Sequence, residues 1–449
     1  MKKNSTIYLY CFVFLIALLI YAIFSTKTGI HDTGEYIVKA KDLAGLGNIE
    51  PYTFHSIIYS LFLSFFLRIF PSLITIKIIN ILWIFATGLL LYFYTKNKKT
   101  LLLWITSPLI WFVGIEITPM LPLAFFFLLS YILFKKWEND GKKSSVMLSG
   151  FFLGFSLALW TGALILVLVF MLIFFWNKTF KQVLTLSILF ILGLSTQFLV
   201  DAIFLGFPLY TLIRYFGGNL YYLIYGISQK PTFLLLLRIL FFIAPLAFLL
   251  YKTNLKKYKR ELIFILFMIL IFYFRGRNPD GLKLFITFAP FMILLLGKVI
   301  SKKLLFLNTI IATLLVIFLI LPPYFNQQST DVLIKQDLAQ IQKDFHFKKV
   351  IAGKDQELLF ATLSWSKEPY FIWFDEYELY KENETVYQQY SYPLPEKEHR
   401  IMEIGVTFKP KKLQEDYENL PLILRKDQEA PPEFKLVKEY KILNVYLPR

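Results

Sequence analysis

Several features that identify common protein classes are scarce or absent in this chain of 449 residues. It has one cysteine, Cys11, which lies in an apolar run, so no disulfide can form within the chain. It has no Gly-x-x-x-x-Gly-Lys-Ser/Thr loop, which argues against ATP-driven transport, and no Gly-x-Ser-x-Gly motif. The histidines show no His-Glu-x-x-His spacing, so the sequence predicts no dedicated zinc site. They are His31, His55, His346 and His399.

Acidic residues are scarce in the first part of the chain, and the formal net charge of +17 is divided unevenly. Residues 1–322 have 30 Lys and Arg against 10 Asp and Glu, whereas residues 323–449 have 18 against 21. A basic chain can indicate nucleic acid or a membrane surface as partner. Here the positive charges lie between apolar segments, which favours membrane lipid and argues against nucleic acid.

Long apolar runs fill residues 1–322. The chain is 57% hydrophobic and its mean hydropathy is +0.56, whereas soluble globular proteins are about 45–50% apolar. This composition excludes a soluble enzyme, a disordered protein and a disulfide scaffold. A spanning helix needs about 17–25 mostly apolar residues, so we predict an all-α polytopic membrane domain with about eleven transmembrane helices. Residues 146–176 fit either a kinked pair or a re-entrant element. The predicted spans are 7–24, 72–94, 101–117, 118–135, 146–160, 162–176, 183–204, 231–251, 261–274, 284–300 and 304–322.

The basic loops predict the orientation of the chain. Lys and Arg are enriched in cytoplasmic loops, and eleven spans place six basic clusters in the cytoplasm. These clusters lie at residues 2–3, 96–99, 135–143, 178–181, 252–260 and 302–303. Residues 54–70 could form a twelfth span, but counting it would move residues 96–99 and every later cluster outside. We therefore expect residues 54–70 to form a helix along the outer membrane surface, within a first outer loop 25–71 and bounded by Pro51 and Pro71.

This orientation gathers ionisable groups at the outer mouth of the predicted membrane domain. Ionisable groups near or within a membrane are costly unless paired, and they mark function by default. The alternative is that each is a solvated loop charge. The outer carboxylates are Asp32, Glu35, Asp42, Glu50, Glu116, Asp201 and Asp280, and they are joined by His31, His55, Arg214, Arg275, Arg277 and Lys283.

Residues 323–449 have the pattern of an ordinary soluble domain. Residues 331–347 place apolar side chains at helical spacing, and the aromatic runs 368–374 and 440–446 predict strands. We expect one small α+β domain on the extracytoplasmic side.

Two carboxylates, Asp32 and Glu35, follow the first span closely. A carboxylate at the membrane–water boundary can accept a proton from a substrate hydroxyl. An N-cap formed by Asp32 or Thr33 explains the same residues structurally, and the two roles are compatible. Glu116, at the outer end of another span, could bind a cation, a sugar hydroxyl or a neighbouring arginine. A loosely held divalent cation also fits these carboxylates, because hard cations need only two or three protein oxygens.

The predicted outer loop 274–283 has three basic residues, Arg275, Arg277 and Lys283. Such a set suits a phosphate, which arginine can hold through two parallel hydrogen bonds. Contact with bulk lipid headgroups is the alternative.

In order and spacing, these segments resemble the GT-C superfamily of membrane glycosyltransferases, which use polyprenyl- or dolichyl-phosphate-linked sugars. The similar groups are the protein O-mannosyltransferases, the aminoarabinose transferases and the lipid-linked mannosyltransferases. Each motif is short, and their order is the signal. The matching segments are His31-Asp32-x-x-Glu35-Tyr36 for the acidic first loop, 51–71 for the surface helix, 107–116 for the second acidic loop, 201–208 for a later Asp…Gly-x-Pro segment and 275–290 for the basic outer loop.

The resemblance implies an inverting hexosyltransferase, of the mannosyltransferase type, that glycosylates a hydroxyl of a lipid, glycan or protein. Asp32 would be the general base, and Glu35 and Glu116 would orient the acceptor or a cation. Thr33 stands where the commoner motif has a second acid, so either Asp32 or Glu35 could be the base. The C-terminal domain resembles no domain that identifies the acceptor. Arg275, Arg277, Lys283 and Arg214 would bind the donor phosphate, and His31, Tyr36, His55 and Asp201 would bind substrate.

Other functions also fit parts of the pattern. A lipid-linked polysaccharide polymerase or ligase would share the donor and the basic loops without needing a base in the first loop. A secondary transporter would have ionisable groups near mid-bilayer and inverted repeats, whereas here these groups crowd one face and we find no repeat. A receptor-like or structural protein would work through its C-terminal domain.

Overall fold

A computed structural model describes the protein as two compact units. The helical unit comprises residues 1–25, 77–199 and 227–325, and the mixed unit comprises residues 26–76, 200–226 and 326–449. The residues described are 2–25, 31–49, 55–113, 116–176, 178–216, 258–275, 284–320, 329–354, 356–381, 386–389, 392–395, 409–410 and 417–449.

The described chain is mostly helical, with strands only after residue 348. The helices are α1 (Lys2–Phe24), α2 (His31–Leu43), α3 (Ile57–Ile69), α4 (Leu73–Thr95), α5 (Lys98–Ile105), α6 (Pro108–Val113), α7 (Met120–Asp140), α8 (Lys143–Leu159), α9 (Leu164–Phe175), α10 (Phe180–Leu205), α11 (Lys259–Arg275), α12 (Ala289–Val299), α13 (Lys302–Leu315), α14 (Thr330–Phe345), α15 (Glu357–Leu363) and α16 (Phe374–Lys381). The strands are β1 (Lys349–Ala352), β2 (Tyr370–Ile372), β3 (Val386–Gln389), β4 (Tyr392–Pro395), β5 (Lys409–Pro410), β6 (Leu422–Arg425), β7 (Phe434–Glu439) and β8 (Leu443–Pro448).

Three of the described helices, α4, α7 and α10, are long and apolar enough to cross a membrane. A helix satisfies its own backbone hydrogen bonds, which is why long apolar runs fold this way in a hydrocarbon layer. These helices coincide with the predicted spans 72–94, 118–135 and 183–204. The predicted span 231–251 lies outside the described residues, and the total of eleven stays a prediction.

Two of the predicted apolar stretches are interrupted. In the run 101–117, α5 ends at Ile105 and α6 begins at Pro108, because proline lacks a backbone N–H and disfavours helix in the residue before it. Residues 146–176 form α8 and α9, which are separated by a single 3-10 turn, Thr161–Ala163. Two helices joined by a short turn fit both the kinked pair and the re-entrant element, so both stay predictions.

Glycines bring α8 and α10 into close contact. A Cβ atom placed at Gly150 or Gly154 would collide with a backbone carbonyl oxygen of α10, at Gly154 that of Phe190. A Cβ atom at Gly193 would collide in the same way with a carbonyl of α8. Helices in a bilayer pack through small residues because lipid supplies no hydrophobic force between them. Bare backbone on both helices therefore sets their separation.

Aromatic rings fill the core of the helical unit. The Phe127 ring on α7 lies 5.3 Å from that of Phe170, 5.8 Å from that of Phe264 and 5.5 Å from that of Phe291, measured between centroids. These partners belong to α9, α11 and α12, so one ring holds four helices together. Such separations are typical of favourable aromatic pairs.

An ion cluster lies near the end of α7. The Glu138 carboxylate is 3.1 Å from Lys135 Nζ, 2.8 Å from Lys178 Nζ and 3.1 Å from Arg260 Nη1. Lys135 Nζ is also 3.1 Å from Glu261 Oε1. The cluster joins α7 to the start of α11 and to the turn before α10, on residues that the topology prediction assigns to the cytoplasm.

The mixed unit contains a five-stranded sheet with the order β2-β1-β6-β8-β7. Strand β1 is parallel to both β2 and β6, whereas β8 is antiparallel to β6 and β7. A smaller antiparallel sheet has the order β4-β3-β5. The predicted strands at 368–374 and 440–446 and the predicted helix at 331–347 correspond to β2, β8 and α14, so the α+β character of this region is confirmed.

The first loop belongs to the same compact unit. Val38 of α2 and Ile49 lie in one core with Val350, Phe371 and Val445 of the sheet domain. Backbone pairing extends this contact, because the Phe371 amide donates to the Asn48 carbonyl at 2.7 Å and Ile49 forms a parallel bridge to Phe371. The loop thus pairs with β2 through one isolated parallel bridge.

Helix α3 corresponds to the predicted surface helix 54–70. At 13 residues it is about 20 Å long, which is too short for a hydrocarbon core of about 30 Å. Leu63 and Leu67 are buried, whereas Phe65 is 63% and Ile69 56% exposed. Helix α3 therefore has a packed face and an exposed apolar face, as expected of a helix at a membrane surface.

Substituting Gly154 by Ala is expected to destabilise the helical unit, because the added methyl group meets backbone that cannot rotate away. Overpacking of this kind costs about 1–3 kcal/mol. The fraction of detergent-solubilised protein that stays monodisperse after heating measures the effect. Ser156→Ala, on the same helix, removes only a hydroxyl that donates to Phe152 and is the control. Equal heat resistance in the two variants would contradict the close contact.

Candidate functional site

Helix α2 positions the acidic motif. It begins at His31, so Asp32 and Thr33 lie inside its first turn and neither is the N-cap. Asp32 and Glu35 are three residues apart in this helix, and positions with that spacing share a face. The side chains of His31 and Asp32 lie outside the described part of the structure.

Glu35 and His55 come together between α2 and α3. His55 Nε2 lies 3.7 Å from Glu35 Oε2, and both side chains are largely shielded from solvent. The pair lines a small pocket together with Tyr36, Lys39 and the first residues of α3. Glu35 and His55 are both predicted site residues and lie twenty residues apart in the sequence, and the fold brings them together in one site.

Tyr36 holds the imidazole in place. Its ring stacks on that of His55 at a centroid distance of 5.4 Å and an interplanar angle of 20°, and it also contacts Tyr59 edge-on at 5.3 Å. The Ser60 hydroxyl donates to the Tyr36 carbonyl at 3.2 Å. Tyr36 is buried, so its position supports His55 from one side.

Lys39 is a pocket residue that sequence reasoning missed. It lines the pocket with Glu35 and His55, and its Nζ lies 3.3 Å from Asp42 Oδ2. Its place one turn after Glu35 on a helix was a usable signal. The pocket thus offers a carboxylate, an imidazole, an ammonium and serine hydroxyls, groups that can bind a polyhydroxylated or anionic molecule.

Asp201 and Arg214 lie in a second segment of the mixed unit. Asp201 is fully buried and accepts hydrogen bonds from the Thr211 amide at 2.9 Å and hydroxyl at 2.8 Å. This contact ties the end of α10 to the helical stretch 210–216. Arg214 Nη1 donates to the Tyr210 hydroxyl at 2.8 Å, and Tyr210 packs against Ile57 at the start of α3. Arg214 therefore belongs to the packing layer next to the pocket.

Glu116 lies in the helical unit beside polar residues of α4. It is buried, and its carbonyl accepts a hydrogen bond from Asn80 Nδ2 at 2.7 Å. One turn earlier, the buried Lys77 donates to the carbonyl and hydroxyl oxygens of Ser25 at 2.8 and 3.0 Å. Sequence reasoning missed Lys77, although a lone lysine in an apolar span is a visible signal.

Most of the predicted basic loop 274–283 lies outside the described residues. Arg275 is the last residue of α11, and its side chain lies outside the described residues, as do all of Arg277 and Lys283.

Glu35 and His55 could supply two ligands to a metal ion. Among the residues that the structure describes, no group of three or more His, Cys, Asp or Glu side chains could hold one. The divalent cation proposed from the outer carboxylates therefore stays a prediction.

No protein-family model and no curated protein matches the chain. Among solved structures, ArnT from Cupriavidus metallidurans bound to undecaprenyl phosphate matches with a TM-score of 0.64 at 10% identity, over 99% of this chain and 98% of the other. ArnT from the same organism in the apo state matches with a TM-score of 0.55 at 11% identity, over the same shares. Identities this low show the fold alone: the chain has the fold of ArnT, which agrees with the fold expected from the order of its motifs.

Proposed function

We propose that this protein is an integral membrane glycosyltransferase that moves a sugar from a polyprenyl-phosphate donor to a hydroxyl acceptor. The observation that carries the proposal is the acidic start of α2, with Asp32 and Glu35 one turn apart and Glu35 3.7 Å from His55. The fold, shared with ArnT bound to undecaprenyl phosphate, supports a lipid-linked donor. The motif resemblance favours a hexose as the transferred sugar, and mannose among the hexoses.

The proposed reaction is a single displacement with inversion. Asp32 takes the proton of the acceptor hydroxyl while the acceptor oxygen bonds to the anomeric carbon of the sugar. The bond from that carbon to the phosphate oxygen breaks, and polyprenyl phosphate leaves with the electron pair. Glu35, Glu116 and the substrate-binding residues His31, Tyr36, His55 and Asp201 orient the acceptor and sugar.

The basic residues have the complementary role in this proposal. Negative charge develops on the leaving phosphate, and preorganised cations aimed at that charge lower the barrier. We assign this role, together with binding of the donor phosphate before the reaction, to Arg275, Arg277 and Lys283, with Arg214 as a further hydrogen-bond donor.

The site is proposed to face the extracytoplasmic side, together with residues 323–449, and the N-terminus to face the cytoplasm. The distribution of Lys and Arg among the loops supports this orientation. The exposed apolar face of α3 supports its place at the outer membrane surface.

Asp32→Asn is expected to lower the transfer rate by about 10²–10⁴-fold, because the amide cannot take the acceptor proton. The measurement is transfer of radiolabelled sugar from a panel of polyprenyl-phosphate sugars, mannosyl and aminoarabinosyl donors included, in membranes. Asp42→Asn is the control, since Asp42 lies on the same helix, is exposed and pairs with Lys39.

The outcomes separate the candidate bases. Full activity in Asp32→Asn would remove Asp32 as base, and Glu35→Gln and Glu116→Gln would then be compared in the same assay. Loss of activity in Asp42→Asn as well would mean that the assay responds to α2 in general.

Arg277→Ala is expected to raise KM for the donor by about ten- to a hundredfold, the value of a lost charged hydrogen bond, and to leave KM for the acceptor nearly unchanged. Steady-state kinetics with each substrate varied in turn measures both. Arg68→Ala, which removes an exposed arginine that donates to the Leu43 carbonyl, is the control. An unchanged donor KM would instead favour contact with bulk lipid headgroups.

Topology is tested with single cysteines in a Cys11→Ala background. Lys142 and Lys367 are both exposed and lie on opposite sides in the proposed orientation. In sealed right-side-out vesicles, an impermeant maleimide is expected to label Lys367→Cys directly and Lys142→Cys only after permeabilisation. Direct labelling at position 142 would mean that residues 54–70 do span and that the later acids, Glu116, Asp201 and Asp280, face the cytoplasm.

A further inference from the structure

Lys41, near the end of α2, is buried with 1% of its surface exposed. Its Nζ donates to Asn48 Oδ1 at 3.0 Å, to the Ala361 carbonyl at 2.7 Å and to the Ser364 carbonyl at 2.6 Å. An ammonium has three N–H bonds, and these three oxygens take all of them. The ring of Trp365 lies 5.3 Å from the same nitrogen.

The carbonyls of Ala361 and Ser364 lie at the C-terminal end of helix α15, where a cation is stabilised. Helix α15 ends at Leu363, and the last carbonyls of a helix lack partners within it and form the negative end of its dipole. Burial lowers the pKa of Lys41 to about 7, because the charged form loses its water, and the hydrogen bonds offset part of that cost. The ammonium of α2 therefore caps the C-terminus of α15.

The same short stretch of chain makes a second connection to the sheet domain. Asn48 accepts from Lys41 through its side chain and from the Phe371 amide through its carbonyl. Val38, one turn before Lys41, packs in the core of the sheet domain. Polar and apolar contacts thus fix the second half of α2, and a backbone hydrogen bond fixes the loop that follows it.

The first half of α2 carries the acidic motif. Asp32 precedes Lys41 by nine residues in one uninterrupted helix, a rise of about 13.5 Å. A helix that is held at one end transmits any tilt there to its other end. The location of the carboxylates therefore depends on the contact between Lys41 and α15.

We propose that Lys41 is a positioning residue, through which the C-terminal domain holds the acidic helix α2 in the orientation that sugar transfer requires. The inference rests on the proposed function and assigns a role in that reaction to residues 323–449, namely to set the place of Asp32 and Glu35.

The test compares Lys41→Met, which keeps the length of the side chain and removes the ammonium, with Lys426→Met. Lys426 is an exposed lysine of the same unit that pairs with Glu439. In Lys41→Met, kcat is expected to fall at least tenfold while KM for the donor changes less than twofold, because the group that is lost does not bind substrate. Amide hydrogen exchange is expected to accelerate in residues 31–43 and to stay unchanged in β6 and β8. Lys426→Met is expected to change none of these.

A second variant and a double mutant guard against general damage. Asn48→Ala removes one acceptor and leaves the ammonium, and it replaces Lys41→Met if that protein does not fold. Because both residues act through one contact, the loss of kcat in the double variant is expected to be smaller than the product of the single losses.

The results that overturn the proposal are distinct from a failure of the proposed function. An unchanged kcat in a folded Lys41→Met protein overturns it, and so does faster exchange in β6 and β8 together with residues 31–43, which would make Lys41 a general stabilising residue. Absence of transfer by the wild type from every donor rejects the proposed function instead. In that case the exchange measurement alone tests whether Lys41 holds α2 in place, and unchanged exchange in residues 31–43 overturns the proposal.

Discussion

An ammonium placed on the carbonyl oxygens of a helix end is the interaction on which the mixed unit depends. Burying a charge is costly unless hydrogen bonds and an opposing dipole compensate, and Lys41 obtains both from Ala361, Ser364 and the end of α15. The contact joins a loop next to the first helix with a domain near the other end of the sequence. Because Asn48 and Phe371 add backbone pairing at the same place, the loop is a component of the sheet domain.

The helices could be predicted from the sequence where composition alone determines them. Long apolar runs can fold only as helices in hydrocarbon, and α4, α7 and α10 appear where the runs lie. The docking of α2 could not be predicted in this way. Val38 and Ile49 are ordinary apolar residues of a short loop, and Lys41 has the sequence context of a solvated charge. Their burial depends on partners more than 300 residues away, and pattern arguments do not reach that far.

In the candidate site, too, some features could be predicted from the sequence and others depend on packing. The acidic motif and the surface helix were recognised from residue types and order, but the approach of His55 to Glu35 follows from how α2 packs on α3. The Asp…Gly-x-Pro context predicts Asp201 as a site residue, but the hydrogen bonds of its carboxylate with Thr211 could not be predicted from that context. Lys77 is not among the predicted site residues, although its burial in α4 follows from its apolar neighbours.

The separation between Lys41 and Ala361 also sets an order of events in time. A ribosome adds about 5–20 residues per second, so the 320 residues between them take roughly 16–64 s to synthesise. During that interval the acidic helix has been made, but the carbonyls that receive its ammonium do not yet exist. Val38 and Ile49 also wait for most of their core neighbours, which come from residues after 330. The mixed unit is therefore completed only after residues beyond 330 have been made, and a nascent chain that stops short of α15 leaves α2 without its anchor.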